Sequence, residues 1–251
     1  MMEILNHTAH RPWPLPGSPW IMKQVWHDLL FAHWPVPQAA LRPLIPPQLE
    51  IDIFAGQAWL GVVPFRMSGV KMRGPFGIRG FSPFPELNVR TYVTRDSKPG
   101  VWFFSLDAAN ALAVWGARRG FHLPYFRAAM RCEENAGWIH YESTRQHSGA
   151  PPASLRAKYL GVGEPFTATP GTLEYFLTER YCLYTANRSG RIIRCDIHHP
   201  AWSLQLAEAS FQENTMASAA GISLTDQQPH LLHFARRQDV VVWAPHRLQL
   251  K

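Results

Sequence analysis

The order of apolar and polar residues along the middle of the chain predicts a series of β-strands. Residues 58–67 predict a buried strand, and residues 101–106 are a continuous apolar run, which is typical of a strand buried on both faces. Between them, residues 88–94 alternate as a pleated strand requires, so one face carries Val89, Thr91 and Val93. The other face carries a row of mostly polar side chains: Asn88, Arg90, Tyr92 and Thr94. We therefore expect a strand that presents polar groups beside an apolar core.

Two helices are predicted on either side of these strands. The segment 35–42 has prolines near its start and is soon followed by a Pro-Pro pair, which indicates a short helix with a sharp end. A second helix is expected to begin with Asp107 as its N-cap and to end at Gly120, with two arginines in its last turn. Its residues Leu112 and Trp115 share one face.

The second half of the chain predicts mainly hairpins. Predicted strands pair at 126–133 with 138–145 and at 180–186 with 191–198, and two further strands at 231–235 and 240–244 close the chain. Thr172 is expected to begin a short helix between the two hairpins. Many strands with few helices favour an antiparallel barrel or a sandwich.

The chain shows no break in composition long enough to be a linker, so we expect a single domain over residues 1–251. Residues 1–20 are rich in Pro and Trp and are expected to wrap around the domain as an irregular arm. Residues 71–85 are rich in Gly, Pro and Phe, which predicts a long exposed loop that could lie over a site.

The composition excludes several classes of protein. Hydrophobic residues make up 46% of the chain and charged residues 17%, which fits a globular protein. The sequence contains no apolar run of membrane-spanning length and does not open with a secretory signal pattern, so we expect a cytoplasmic protein without a membrane partner. Cys132, Cys182 and Cys195 are far apart and predict free thiols. The net charge of +7 comes from scattered arginines that match no nucleic-acid-binding motif, so no nucleic-acid partner is expected.

A set of motifs spread over most of the chain carries a family resemblance. In order they are WHDLLFAHW at 26–34, LRPLIP at 41–46, AWLGVVPF at 58–65, ELNVRTYV at 86–93, FFSLDA at 103–108, LPY at 123–125 and ERYCLY at 179–184. Together they resemble the bacterial YqjF-like family, a domain family of unknown function. The resemblance extends from about Trp26 to Trp243 and so includes nearly the whole chain.

That family is in turn distantly similar to the acetoacetate decarboxylase-like superfamily. The resemblance implies a β-rich α+β fold, an antiparallel β-barrel or cone with a few short helices and an interior pocket. In the decarboxylase, the helix that corresponds to the one ending at Gly120 runs into Gly-aromatic-Pro-Lys-Lys, and the first lysine forms a Schiff base. Here HLPYFR follows at 122–127, without the lysine pair. Arginine stays protonated and is a poor nucleophile, so a Schiff-base decarboxylase is not expected.

The candidate ligand-binding residues are Asn88, Arg90 and Tyr92. If their strand face turns inward, Arg90 can bind a carboxylate while its two neighbours bond the rest of the ligand. The alternatives are a solvated outer face or an Arg90 held in a structural ion pair. The candidate catalytic residues are Tyr125, which falls nearest the place of the missing lysine, and His122 and His33, which could act as general acid or base. A lone histidine in an apolar stretch is more often a hydrogen-bonded core residue.

Other polar groups favour structural roles. Glu179 and Arg180 are expected to form a buried ion pair that braces the fold. The histidine doublets at 198–199 and 230/233 lack the spacing of metal ligands, so neither a metal nor a cofactor is expected.

The sequence therefore predicts a protein that binds a small organic acid or carbonyl compound in an interior pocket. Whether it is an enzyme stays open, and the alternative is a non-catalytic module that binds or senses a ligand. A homo-oligomer is compatible with the sequence.

Overall fold

Strands make up most of the chain, as the apolar and alternating runs predict. The computed structural model of the protein describes residues 3–74 and 83–248. Its strands are β1 (Met22–Val36), β2 (Glu50–Ile51), β3 (Ala58–Met72), β4 (Phe84–Arg95), β5 (Lys98–Ala108), β6 (Tyr125–Asn135), β7 (Trp138–Arg145), β8 (Ser154–Phe166), β9 (Cys182–Ala186), β10 (Ile192–His198), β11 (Leu204–Asn214), β12 (Leu231–Val242) and β13 (His246–Arg247). Its α-helices are α1 (Glu3–Asn6), α2 (Gln38–Leu41), α3 (Ala111–Gly120), α4 (Leu173–Thr178) and α5 (Met216–Ala219), and a 3₁₀ turn at Arg42–Leu44 follows α2.

In the described residues, the strands close into two rings that share one wall. The larger ring runs β4-β5-β6-β7-β8-β11-β12-β1-β3 and back to β4. In the smaller ring, β9 and β10 connect β5 directly to β12, so the order is β4-β5-β9-β10-β12-β1-β3. Neighbouring strands are antiparallel except that β5 is parallel to both β6 and β9. The shared wall β12-β1-β3-β4-β5 therefore turns one face to each ring.

The larger ring is filled by apolar side chains and tyrosines. Its core includes Leu30, Val62, Val89, Tyr141, Tyr159 and Phe234, which come from strands on all sides of the ring. Two tyrosines also bond across the interior. The hydroxyl of Tyr141 donates to the backbone oxygen of Glu86 at 2.7 Å, and that of Tyr159 donates to the backbone oxygen of Asp28 at 2.8 Å. This ring is therefore a packed core.

The smaller ring holds the opposite faces of the shared wall. Its apolar core includes Leu29, Phe31, Val63, Phe65, Leu106, Trp202 and Ala235. Helix α4 adds Leu177, which packs with Tyr92 and Val101. Because side chains alternate along β4, Leu87 and Val89 face the larger ring while the residues between them face the smaller one.

Helix α3 ends at Gly120 as predicted, but its N-cap is Asn110 and the prediction of Asp107 was wrong. The Asn110 Oδ1 atom accepts the backbone N–H groups of Leu112 and Ala113, each at 3.0 Å. Asp107 still lies in β5, where its buried carboxylate pairs with Arg145 at 2.9 Å. The apolar run simply stays extended for two more residues, because β5 pairs with β4 as far as Ala108.

The face shared by Leu112 and Trp115 is turned outward. Their exposed fractions are 68% and 60%, while the buried residue of α3 is Val114. The amphipathic pattern of a short helix does not by itself show which face has a partner.

The predicted boundaries of two other segments need correction. The predicted strands 231–235 and 240–244 are one strand, β12, which pairs with β1 from Leu231 to Val242 and so keeps its polar middle extended. Of the predicted loop at 71–85, Lys71 and Met72 belong to β3 and Phe84 begins β4, while residues 75–82 lie outside the described residues. Strands β1, β2, β8, β11 and β13 were not among the predicted strands.

The remaining local predictions hold. The first hairpin turns at Ala136 and Gly137, both at positive φ, and Thr172 caps α4 by accepting the N–H of Tyr175. The described part of the N-terminal arm is irregular apart from α1. No helix in the described ranges is both long and apolar enough to cross a membrane.

Candidate functional site

Strand β4 turns four polar side chains toward the interior of the smaller ring. They are spaced two residues apart and are Glu86, Asn88, Arg90 and Tyr92. Arg90 is half-buried and the other three are buried. The face that was predicted to bind a ligand therefore points inward, and the solvated alternative is wrong because β9, β10 and α4 close the ring in front of it.

His33 joins this polar row from β1, which is separated from β4 by β3. Its Nε2 atom lies 2.7 Å from the hydroxyl of Tyr92, which itself donates to the backbone oxygen of Leu177 at 2.8 Å. Because that hydroxyl has only one hydrogen, its oxygen accepts from His33 Nε2–H, and His33 Nδ1 is left as a bare acceptor. Complete burial lowers the pKa of His33 well below its usual value, so the ring is neutral at pH 7.

Arg90 has its guanidinium group inside the smaller ring. The guanidinium carbon lies 5.2 Å from the ring centroid of Phe31 and 5.9 Å from that of Tyr92. Within the described residues Arg90 forms no ion pair, and its Nε atom has no hydrogen-bond partner. Other enclosed arginines differ in this respect, since Arg145 pairs with Asp107 and Arg180 with Asp52. The described residues therefore provide no carboxylate for the alternative interpretation, in which Arg90 is held in a structural ion pair.

Gly61 provides the space that this arrangement needs. It lies on β3 directly between His33 on β1 and Arg90 on β4. A Cβ atom at this position would lie 3.1 Å from His33 Nε2 and 3.3 Å from Arg90 Cγ. Both contacts are tighter than ordinary van der Waals distance, so a side chain here would displace the two polar groups.

Several buried polar atoms on the walls of the smaller ring have no partner among the described residues. They are His33 Nδ1, Trp59 Nε1, Asn88 Oδ1, Arg90 Nε and His233 Nδ1. Register places His233 opposite Phe31 and Trp59 opposite Pro35, on the same face of the wall as His33. Buried polar groups without partners are unfavourable and are uncommon in native proteins. Their concentration in one compartment marks it as the candidate ligand site.

Glu86 and Tyr125 form a second polar contact at one end of the row. The Tyr125 hydroxyl donates to Glu86 Oε2 at 3.0 Å, and both side chains are buried. Burial raises the pKa of Glu86 to about 8, so its carboxyl group is largely protonated at neutral pH. Burial also raises the pKa of Tyr125 well above its usual value. The pair can therefore hold or transfer a proton inside an apolar compartment.

Sequence reasoning named Tyr125 but missed Glu86. The signal was present, because Glu86 lies two residues before Asn88 and so shares the polar face of the strand. His122, the third catalytic candidate, is not part of this site. Its side chain is exposed after α3, and its backbone oxygen accepts from Thr185 Oγ1 at 2.6 Å.

The predicted ion pair between Glu179 and Arg180 is absent from the described structure. Glu179 accepts the hydroxyl of Tyr181 and, at 2.9 Å, the backbone N–H of Trp202. Arg180 instead pairs with Asp52, because adjacent residues project in different directions. The role is structural as predicted, but the partners differ.

The described residues contain no group of three or more His, Cys, Asp or Glu side chains that could hold a metal ion. The ring nitrogens of His198 and His199 lie within hydrogen-bonding distance of protein groups, including the backbone oxygens of Ile4 and Pro200.

Comparison with known proteins places the chain in a family. A family model for DUF2071, described as an uncharacterized conserved protein, matches residues 23–239. The uncharacterized protein YqjF of Bacillus subtilis is 49% identical over 229 residues, which is 91% of this chain and 93% of that protein. The predicted family is thereby confirmed.

Solved structures show the fold. Acetoacetate decarboxylase from Legionella pneumophila superposes with a TM-score of 0.62 at 12% identity, covering 98% of this chain and 95% of that one. The enduracididine biosynthesis enzyme MppR, complexed with pyruvate, gives a TM-score of 0.59 at 13% identity, covering 95% and 93%. The predicted fold class is confirmed: the chain has an acetoacetate decarboxylase-like fold, and it belongs to the DUF2071 family.

Proposed function

We propose that the smaller ring binds a small organic acid and that Arg90 binds its carboxylate. The observation that carries this proposal is a half-buried guanidinium group that has no ion-pair partner in the described part of the chain and whose Nε atom, like several polar atoms on the same walls, has no hydrogen-bond partner. A buried cation is unfavourable unless an anion balances it. An arginine also matches the planar geometry of a carboxylate with two parallel hydrogen bonds.

The other polar groups of the smaller ring limit which organic acids can bind. His33 Nδ1 is a bare acceptor, so it would bind a ligand hydroxyl or enol O–H. A carbonyl compound that can enolise, or a hydroxy acid, supplies both the carboxylate and this donor. The pyruvate complex of MppR supports a small keto acid as a ligand for a ring of this fold. All three cysteines are free, which is typical of proteins in a reducing compartment, so we propose that the protein binds this ligand in the cytoplasm.

A Schiff base is not part of the proposal. Among the described lysines, Lys71 and Lys158 are exposed and Lys23 and Lys98 are half-buried, so none is enclosed in the smaller ring as an activated amine would be. Tyr125 falls nearest to the place at which the superfamily resemblance expects the lysine. A tyrosine and a protonated carboxyl group can exchange protons with a ligand but cannot form an imine with it.

The test uses pyruvate as the probe, with binding measured by calorimetry at low ionic strength. We expect the natural protein to bind pyruvate and Arg90→Ala to bind it at least about tenfold more weakly, as for loss of a charge-assisted contact. Arg131→Ala, which removes an exposed arginine of β6, is the matched control and should bind normally. Equal binding by Arg90→Ala would show that the assignment is wrong, and a lysine adduct trapped by borohydride would restore the Schiff base.

A second candidate function, proton transfer next to a carbonyl group, is favoured by the Glu86–Tyr125 contact alone. In D₂O, an enzyme of this kind would exchange the methyl protons of pyruvate for deuterium faster than buffer does, as seen by proton NMR. Glu86→Gln should abolish that excess rate while leaving binding through Arg90 intact. If the natural protein gives only the buffer rate, a binding or sensing role stands and catalysis of enolisation does not.

A further inference from the structure

A cleft of about 420 Å³ opens on the outside of the two rings, beside the end of α3. It lies between the last turn of the helix, the segment that leads to β6, and the turn between β9 and β10. Its main lining side chains are Trp115, Arg118, Arg119, His122, Pro124 and Arg188. A space of this size is typical of a small-molecule site.

The cleft is positively charged. Arg118, Arg119 and Arg188 are all exposed, and among the described residues none of them forms an ion pair with a carboxylate. No Asp or Glu is found among the described residues that line the cleft. Like charges gathered in one place repel each other, and the end of a helix offsets only part of this for Arg118 and Arg119. The cluster therefore favours an anion with more than one charge.

Trp115 gives the cleft a flat aromatic surface beside these charges. Trp115 is 60% exposed, which is unusual for so large an apolar side chain. The guanidinium carbon of Arg119 lies over the indole, 5.0 Å from its ring centroid, so one face of the ring already adjoins a cation. A planar group can stack on the rest of the indole while its anionic end reaches the arginines.

We propose that this cleft binds a small molecule that carries both a phosphate group and a flat ring, as a mononucleotide does. Arg119 and Arg188 bind the phosphate oxygens, and Trp115 stacks on the ring. A phosphate fits better than a carboxylate, because it carries up to two charges and offers three oxygens to several guanidinium groups at once. The cleft shares no lining side chain with the polar row of β4, so this inference is independent of the organic-acid site.

The experiment measures binding of AMP, inorganic phosphate and adenosine by calorimetry at low ionic strength, where exposed charges are least screened. We expect AMP to bind more tightly than either fragment. The double variant Arg119→Glu/Arg188→Glu should lose AMP binding by at least about tenfold. Trp115→Ala should weaken the binding of AMP by roughly fivefold and leave the binding of inorganic phosphate unchanged. Arg118 is left in place because its Nη1 atom holds the backbone oxygen of Tyr125 at 2.5 Å.

The control is Arg156→Glu, which reverses the charge of an exposed arginine on β8, paired only loosely with Glu142 at 3.7 Å. It should bind AMP as the natural protein does, and all variants should keep the natural melting temperature. The proposal is overturned if AMP does not bind, if AMP binds no better than adenosine or phosphate alone, or if Arg156→Glu loses as much affinity as the cleft variants.

Discussion

Glu86 shows, at the scale of a single residue, how burial changes the chemistry of a side chain. Its usual pKa is 4.5, and enclosure in the smaller ring raises it to about 8. Desolvation is the larger cause, and the hydrogen bond from Tyr125 acts in the opposite direction without cancelling it. The folded protein therefore keeps a proton that the unfolded chain releases at much lower pH.

This difference predicts the pH dependence of Glu86→Gln. Between pH 4.5 and about 8 the folded state binds more protons at Glu86 than the unfolded state does, so its contribution to the free energy of unfolding falls as pH rises. A glutamine does not titrate. We expect the variant to gain stability relative to the natural protein by up to about 1.4 kcal/mol per pH unit across this window.

Chemical denaturation at about pH 5, 7 and 9 measures this gain. Glu133→Gln is a suitable control, because Glu133 is exposed and pairs with Arg131, which lowers its pKa. Its stability difference should not grow in favour of the variant as pH rises. A constant difference for Glu86→Gln would mean that Glu86 is ionised in the folded state.

At the scale of elements, α3 is a short helix held in place by few contacts. Val114 is its buried residue, while Leu112 and Trp115 face outward. Its start depends on Asn110 Oδ1, which accepts two backbone N–H groups. Its interior contains Gly116, where a Cβ atom would meet nothing within 4 Å.

Two substitutions in α3 should therefore have opposite effects. Asn110→Ala leaves two N–H groups without their acceptor and should destabilise the protein by about 1 kcal/mol. Gly116→Ala reduces the backbone freedom of the unfolded chain and should stabilise it by about 0.5–1 kcal/mol. Thermal and chemical unfolding of the two variants measure both signs. A loss at Gly116→Ala would show that this turn of the helix is not freely accessible.

At the scale of the whole molecule, β10 holds the N-terminal arm against the body. His198 Nε2 donates to the backbone oxygen of Ile4 at 2.7 Å, and Arg11 Nη1 donates to that of Ile197 at 2.8 Å. Arg11 also reaches His198 Nδ1 at 3.1 Å, so this nitrogen is an acceptor. Burial lowers the pKa of His198 from 6.5 to about 4, and the bound ring is neutral at pH 7.

The arm should accordingly loosen in acid. His198 takes up a proton more readily when the arm is detached, so its contribution is fully present above pH 6.5 and is lost as pH falls toward 4. Hydrogen exchange followed by mass spectrometry, corrected for intrinsic rates, should show greater opening of residues 3–11 at acid pH than at pH 7. His198→Gln, which keeps a polar group but cannot titrate, should reduce this pH effect. An effect of unchanged size would assign the opening to other groups.

The sequence by itself determined most of the central strands and the polar face of β4. Apolar runs and strict alternation specify strands, because a pleated strand has a period of two whatever surrounds it. The turn at Ala136-Gly137 and the cap of α4 at Thr172 were also predictable, because both depend on the backbone conformation and hydrogen bonds of residues within a few positions of each other.

Only the tertiary structure decided which faces meet. The alternation of β4 could not show that Glu86 would meet Tyr125 of β6, or that His33 of β1 would bond Tyr92. It also could not show that Asp107 would remain in β5 opposite Arg145, leaving Asn110 to cap α3. These contacts join residues far apart in the chain, and they depend on strand register and ring closure. The local pattern of residues specifies neither strand register nor ring closure. The polar groups are therefore visible in the sequence, but only the fold brings them together.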